Sequence, residues 1–186
     1  MQWDSGLNAE QFDPRADERK GQSSRIHTLA ACLLQVGDGI LLSRRAISPR
    51  IGFWTIPGGY VEEAESAEHG ARRELEEEAG VSVPSAQLIA VYEMPQISQV
   101  LLLYTAIVSS CDPRPGPESS EVAVFRSQDA PYGKTAFATD RRTLLRFNCG
   151  LIGSAIELGR LHWGCDGHIR LTVQRRQFPI PRGIAD

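Results

Sequence analysis

The sequence lacks the marks of several protein classes. No apolar run approaches the roughly 18 residues of a membrane span, and no basic stretch followed by an apolar one opens the chain. Neither a spanning segment nor a secretory leader is therefore expected. Cysteine is scarce: Cys32, Cys111, Cys149 and Cys165 stand far apart with no C-x-x-C pair, which excludes a zinc ribbon or a redox motif built on one. A chain of 186 residues does not need disulfides to build a core, so free thiols in a cytoplasmic protein are the expectation. Strong charge of either sign is also missing. Against 20 Lys+Arg stand 23 Asp+Glu, and a net charge of -3 argues against a protein that coats nucleic-acid phosphates. What is present, 41% hydrophobic and 23% charged residues, is the composition of one soluble globular domain.

Residues 8–24 are polar, and Pro14 and Gly21 interrupt any period, so 1–24 reads as an N-terminal arm. Residues 28–36, then Gly37-Asp38-Gly39, then Ile40-Leu41-Leu42 read as a hairpin closed by Arg44 and Arg45. A short strand over 53–56 ends at Pro57-Gly58-Gly59, and 66–79 is the clearest helix. Strands are expected over 87–94, 99–108 and 121–125, the last two separated by a loop with three prolines. A second helix over 140–147 has Thr139 as its N-cap, a third helix spans 151–161, and a last strand spans 169–173. Strands, helix, strands, helix make an α+β protein, an α/β/α sandwich with a mixed sheet between helices.

Eight glutamates fall between Glu62 and Glu78. Like charges one turn apart repel, so the arrangement needs a compensating partner. At about 100° per residue, Glu74, Glu77 and Glu78 share a stripe beside the apolar stripe of Ala67, Ala71, Leu75 and Ala79. Carboxylates bordering a core are suited to a hard divalent cation, Mg²⁺ or Mn²⁺, which keeps several waters for phosphate oxygens to replace. A solvated acidic face is the other reading of the same stripe.

Gly59, five residues, Glu65, seven residues, then Arg73-Glu74-Leu75-Glu76-Glu77-Glu78-Ala79-Gly80-Val81 resembles the Nudix box at each of its fixed places. That family hydrolyses nucleoside diphosphates linked to another moiety. The resemblance implies the Nudix fold, with residues 25–150 as the catalytic domain and 151–186 as a C-terminal extension packed on it. It implies Glu74, Glu77 and Glu78 as metal ligands with the Gly58 carbonyl, and Glu74 or a more distant glutamate as base for the attacking water. Arg73 would pair with Glu65 and orient the carboxylates. Gly58 and Gly59 would allow close backbone approach and unusual dihedrals.

Outside the box, Trp54-Thr55-Ile56-Pro57-Gly58-Gly59-Tyr60, Ala90-Val91-Tyr92, Ile97-Ser98-Gln99-Val100, Pro115-Gly116-Pro117-Glu118-Ser119-Ser120-Glu121 and Thr135-Ala136-Phe137-Ala138 are similar to a bacterial and plant branch of the family. Its members act on ADP-ribose, FAD or related dinucleotides. In that branch a zinc ribbon often precedes the catalytic domain, whereas here no cysteine precedes Cys32. The branch implies a nucleoside-diphosphate-linked small molecule as partner, Glu118 or Glu121 as the distant glutamate, and a homodimer as a further expectation.

The remaining signals are weaker. Arg44 and Arg45 could meet phosphates, since guanidinium forks match them, or simply be solvated. Phe53 and Tyr92 could stack on a substrate ring, while Trp54 suits the core better. Gly133-Lys134-Thr135 has Gln128 where a phosphate loop needs glycine and is set aside. His162, Cys165 and His168 fit turn chemistry better than a metal site, and the arginines of the tail lack the interleaved aromatics of an RNA binder.

Overall fold

The computed structural model describes residues 25–153, 155–163 and 169–175. In chain order these form β1 (His27–Val36), β2 (Gly39–Arg45), β3 (Trp54–Thr55), β4 (Gly58–Tyr60), α1 (Ala67–Ala79), β5 (Gln87–Met94), β6 (Gln99–Val108), β7 (Ser119–Arg126), α2 (Ala138–Asn148), β8 (Glu157–Trp163) and β9 (Ile169–Arg175). The strands join in one mixed sheet in the order β3-β2-β1-β6-β5-β8-β9, with β4 also on β1 and β7 also on β2. The proposed arm over 1–24 and two members of the His162, Cys165, His168 group lie outside the described residues.

β1 is the central strand. It runs parallel to β6 along its whole length, from His27↔Gln99 to Val36↔Val108. Because successive side chains point to opposite faces, Ala30, Cys32 and Leu34 pack under Ala71, Leu75 and Ala79 of α1. Ala31 and Leu33 face the other way, into the cluster that holds Trp54, Tyr92 and Leu144 of α2. The helices thus cover opposite faces of the sheet, as a sandwich requires. Burial between them pushes the Cys32 thiol up to about 12, so it behaves as a small apolar residue.

Two expectations need correction. α2 starts two residues earlier than the sequence suggests, with Phe137 at its N-cap. Asp140 supplies the capping bond instead of Thr139, its Oδ2 accepting the Phe137 N–H at 3.1 Å. The helix expected over 151–161 is absent, and β8 occupies its second half. β8 pairs in parallel with the free edge of β5 from Ala90↔Glu157 to Glu93↔Arg160, then turns back antiparallel as β9. Gly159 lets this pairing close, because a Cβ there would press on the Tyr92 ring and Leu171.

Glu157 anchors the added hairpin. Its carboxylate accepts the Tyr92 hydroxyl at 2.8 Å and Arg142 at 3.1 and 2.7 Å, with Arg146 at 3.5 Å. Arg146 in turn donates to the carbonyls of Ile89, Leu151 and Ala155. Burial opposes the charge on Glu157, yet the two arginines and the tyrosine hold its carboxyl below the usual range. Glu157→Ala strands two arginines and is expected to cost roughly 3–5 kcal/mol. Tyr92→Phe removes one neutral donor from an already satisfied carboxylate and is expected to cost about 1 kcal/mol. Urea unfolding of the two variants beside wild type checks the order.

Candidate active site

α1 begins cleanly: the Ser66 Oγ accepts the His69 N–H at 3.2 Å, and Gly80 ends the helix in the left-handed region at φ 68°. Its last turn holds Glu76, Glu77 and Glu78 and no base, which opposes the helix dipole. The loop between β6 and β7 offsets this by donating backbone N–H groups to the exposed carbonyls, Arg114 to Ala79 at 2.8 Å and Gly116 to Glu78 at 3.1 Å. Gly116 lies so close to the Glu77 carbonyl that a Cβ has no room. The loop that closes the helix leads directly into Glu118.

Arg73 organises the carboxylates. It donates to both oxygens of Glu65, Nε to Oε1 at 3.0 Å and Nη2 to Oε2 at 3.1 Å, and to the Tyr60 carbonyl at 3.0 Å. Nη1 reaches Glu74 at 2.8 Å and Glu77 at 3.1 Å. The hydrogen bond from Arg73 holds the Glu65 carboxyl below the usual carboxylate range, and Glu65 raises the Arg73 pKa in return.

The stripe inferred from helical spacing resolves into three environments. Glu77 is exposed, Glu74 is half-buried, and Glu78 is buried against the sheet. Burial raises Glu74, with the charges of Glu77 and Glu118 adding to the rise and Arg73 opposing it. Glu78 is pushed up to about 7 by burial, against hydrogen bonds from Ser43 Oγ at 2.7 Å and the Gly58 N–H at 3.4 Å. Ser43 was not singled out from the sequence. Its signal was strand alternation, which places a hydroxyl in step with Leu41 on the helix-facing side of β2.

Gly58 and Gly59 lie in β4, and neither has the positive φ that would make its dihedrals unusual. Space is what they provide. A Cβ on Gly58 would strike Ala31, and one on Gly59 would strike the Glu74 carboxylate. Glu74 thus lies against Gly59 of β4 and feels the charge of Glu118, while Glu78 feels that of Glu74, and such hard oxygen donors suit a divalent cation. Among the described residues, no three acidic, histidine or cysteine side chains already stand at ligand spacing around one point.

The other candidates separate. Arg44 donates to the Gly52 carbonyl at 3.0 Å and pairs with Glu121 at 3.3 Å. Arg45 donates to the Pro49 carbonyl at 2.7 Å and lies over the Phe137 ring at 5.4 Å, and its charge reaches Glu78 and Asp140. Phe53 is half-buried near this corner. Tyr92 is not available to stack on a substrate: it is fully buried, with its hydroxyl on Glu157. Its place on the inward face of β5 decides this.

Burial pushes the Asp140 carboxyl from 3.8 up to about 7, despite hydrogen bonds from Thr55, Ile56 and Phe137. A carboxyl with a higher pKa folded than unfolded contributes stability that is complete below its unfolded value and lost as pH rises through its folded value. The protein is expected to lose stability between about pH 4 and pH 7, and Asp140→Asn to flatten that slope. Denaturant midpoints across this range, wild type against variant, measure it; Glu65, shifted the other way, is common to both proteins.

The model of the NUDIX domain matches residues 25–147. The chain is 28% identical over 109 residues to the ADP-ribose pyrophosphatase of Methanocaldococcus jannaschii, covering 56% of this chain and 63% of that one. It is 37% identical over 101 residues to the NAD-capped RNA hydrolase NudC of Stutzerimonas stutzeri, covering 53% and 36%. It thus spans less than two thirds of either relative. The crystal structure of a NUDIX hydrolase from Nitrosomonas europaea superposes with a TM-score of 0.67 at 32% identity, covering 78% of this chain and 85% of that one. Box, fold and family model agree, and the chain belongs to the Nudix family.

Proposed function

We propose that this protein hydrolyses the diphosphate bridge of an ADP-containing dinucleotide, ADP-ribose, FAD or NADH, to AMP and the other phosphate, using Mg²⁺ or Mn²⁺. The observation that carries the reading is the crowding of carboxylates at one end of α1. Glu74 feels the charges of Glu77 and Glu118, and Glu78 that of Glu74, with Arg73 as the cation bonded among them. Such repulsion is costly without a cation to relieve it. The relatives named for ADP-ribose and NAD caps support the choice of an adenosine diphosphate linkage.

In this reading Glu74, Glu77, Glu78 and the Gly58 carbonyl hold the metal. When bound, the cation offsets the charge of the diphosphate, lowers the pKa of a water and stabilises the leaving phosphate. Arg73, anchored on Glu65, keeps the carboxylates aligned from behind, as outer partners of metal ligands do. Glu118 is the better choice of distant base, because it sits beside Glu74 while Glu121 is engaged by Arg44. Arg44 and Arg45 would meet phosphate oxygens by leaving their present partners, and Phe53 would meet a ring.

The test is turnover with Mg²⁺ or Mn²⁺ on ADP-ribose, NADH, FAD, nucleotide sugars and nucleoside triphosphates, with products separated by chromatography. AMP released fastest from one dinucleotide is the expected result. Preference for a nucleotide sugar would move the reading to a dedicated pathway hydrolase, and binding without turnover to an ADP-ribose sensor. Glu77→Gln is expected to lower turnover about a hundredfold or more with the fold intact, since it removes a charged ligand but little volume. Near-normal turnover of that variant with Mg²⁺ sinks its ligand role.

A further inference from the structure

Two side chains at the corner beside Arg45 leave buried polar atoms unsatisfied. Among the described residues, the buried side-chain nitrogens and oxygens without a hydrogen-bond partner are Nε and Nη1 of Arg50 and Oγ of Ser119. Ser119 is the cross-strand partner of Arg45 on β7 and follows Glu118. Arg50 lies in the 46–53 loop, which both arginines of β2 pin in place. Arg45 donates from Nε to the Pro49 carbonyl, and Arg44 from Nε to the Gly52 carbonyl. The backbone closes it further, with Gly52 N–H on Arg45 and Ala46 N–H on Glu118, so the loop is tied directly to the site.

Arg50 is costly to keep as it stands. Its backbone is left-handed at φ 66°, a region a long side chain adopts only when its surroundings hold it there. Its guanidinium rests on the Phe53 ring at 5.8 Å, which satisfies none of its N–H groups. An unpaired buried donor carries its full desolvation penalty, more so when charged. Strain and unmet donors at one residue, on a loop bonded to the catalytic corner, mark a group held for a ligand.

We propose that Arg50 is a substrate-binding residue that swings from the Phe53 ring to a phosphate oxygen of the diphosphate-linked substrate. This rests on the reading above for the substrate's class but not on turnover. An oxyanion is the favoured ligand because Arg44 and Arg45 both bond the loop that carries Arg50, while Glu121 pairs only with Arg44. The move gives Arg50 the hydrogen bonds it lacks and uncovers the Phe53 ring.

Calorimetric titration of ADP-ribose and of AMP, without added divalent metal so that nothing is turned over, into wild type, Arg50→Gln and Arg50→Lys tests this, with thermal melts of the free proteins alongside. Arg50→Gln is expected to weaken ADP-ribose binding roughly 10- to 100-fold. Arg50→Lys is expected to lose less, and both variants to melt no lower than wild type, because a side chain kept for a ligand does not support the free fold. Unchanged affinity in Arg50→Gln, no binding by wild type, or weaker binding matched by a fall in melting temperature in both variants overturns the proposal. If wild type binds ADP-ribose but hydrolyses nothing in the panel, the hydrolase reading fails alone and the Arg50 comparison still decides.

Discussion

Carboxylates held close to one another at low exposure repel, and this architecture must contain that repulsion. Glu74 and Glu78 are both raised chiefly by burial, and neighbouring carboxylates add to the rise. Arg73 contains part of the strain, with bonds to three glutamates and a backbone carbonyl. Ser43 and the Gly58 N–H contain more of it at Glu78. Glycine at 58 and 59 is part of the same constraint, because β4 must run against both Ala31 and Glu74 without side chains. A solvated acidic helix would need none of these devices.

The C-terminus of α1 couples this chemistry to the sheet. Its last carbonyls receive N–H groups from the proline-rich loop, and the same loop carries Glu118 and Ser119 into β7. β7 pairs with β2 from Gly39↔Arg126 to Arg45↔Ser119, with an irregularity between Arg44 and Arg45. That irregularity lets consecutive arginines serve different partners, Glu121 for one and Phe137 and Pro49 for the other. Glutamates, arginines and the 46–53 loop are thus joined by backbone hydrogen bonds and not by proximity in sequence.

On the opposite side of the sheet, a buried ionic cluster does a different task. Tyr92, Arg142, Arg146 and Glu157 come from β5, α2 and β8, and they hold the C-terminal hairpin against the Nudix domain. Tyr92 is spent in this cluster, with its ring buried and its hydroxyl on Glu157.

Much was legible in the sequence alone. Period-2 and period-3.6 patterns located β1, β2, β5, β6 and α1, and the box spacing identified Glu65, Arg73, Glu74, Glu77 and Glu78, because these signals are local and depend on one helix and its two flanking turns. What local pattern could not decide was which partner a residue meets across the sheet. Residues 157–163 became a strand because β5 offered a free edge, and Tyr92 became core because its face of β5 lies under α2. Glu118 was separated from Glu121 by the loop that closes α1, and Ser43 acquired its significance from its contact with Glu78 on that helix. Helical spacing sets which side chains share a face, but burial, and with it the charge each group bears, is decided by the strands and loops that tertiary structure brings against that face.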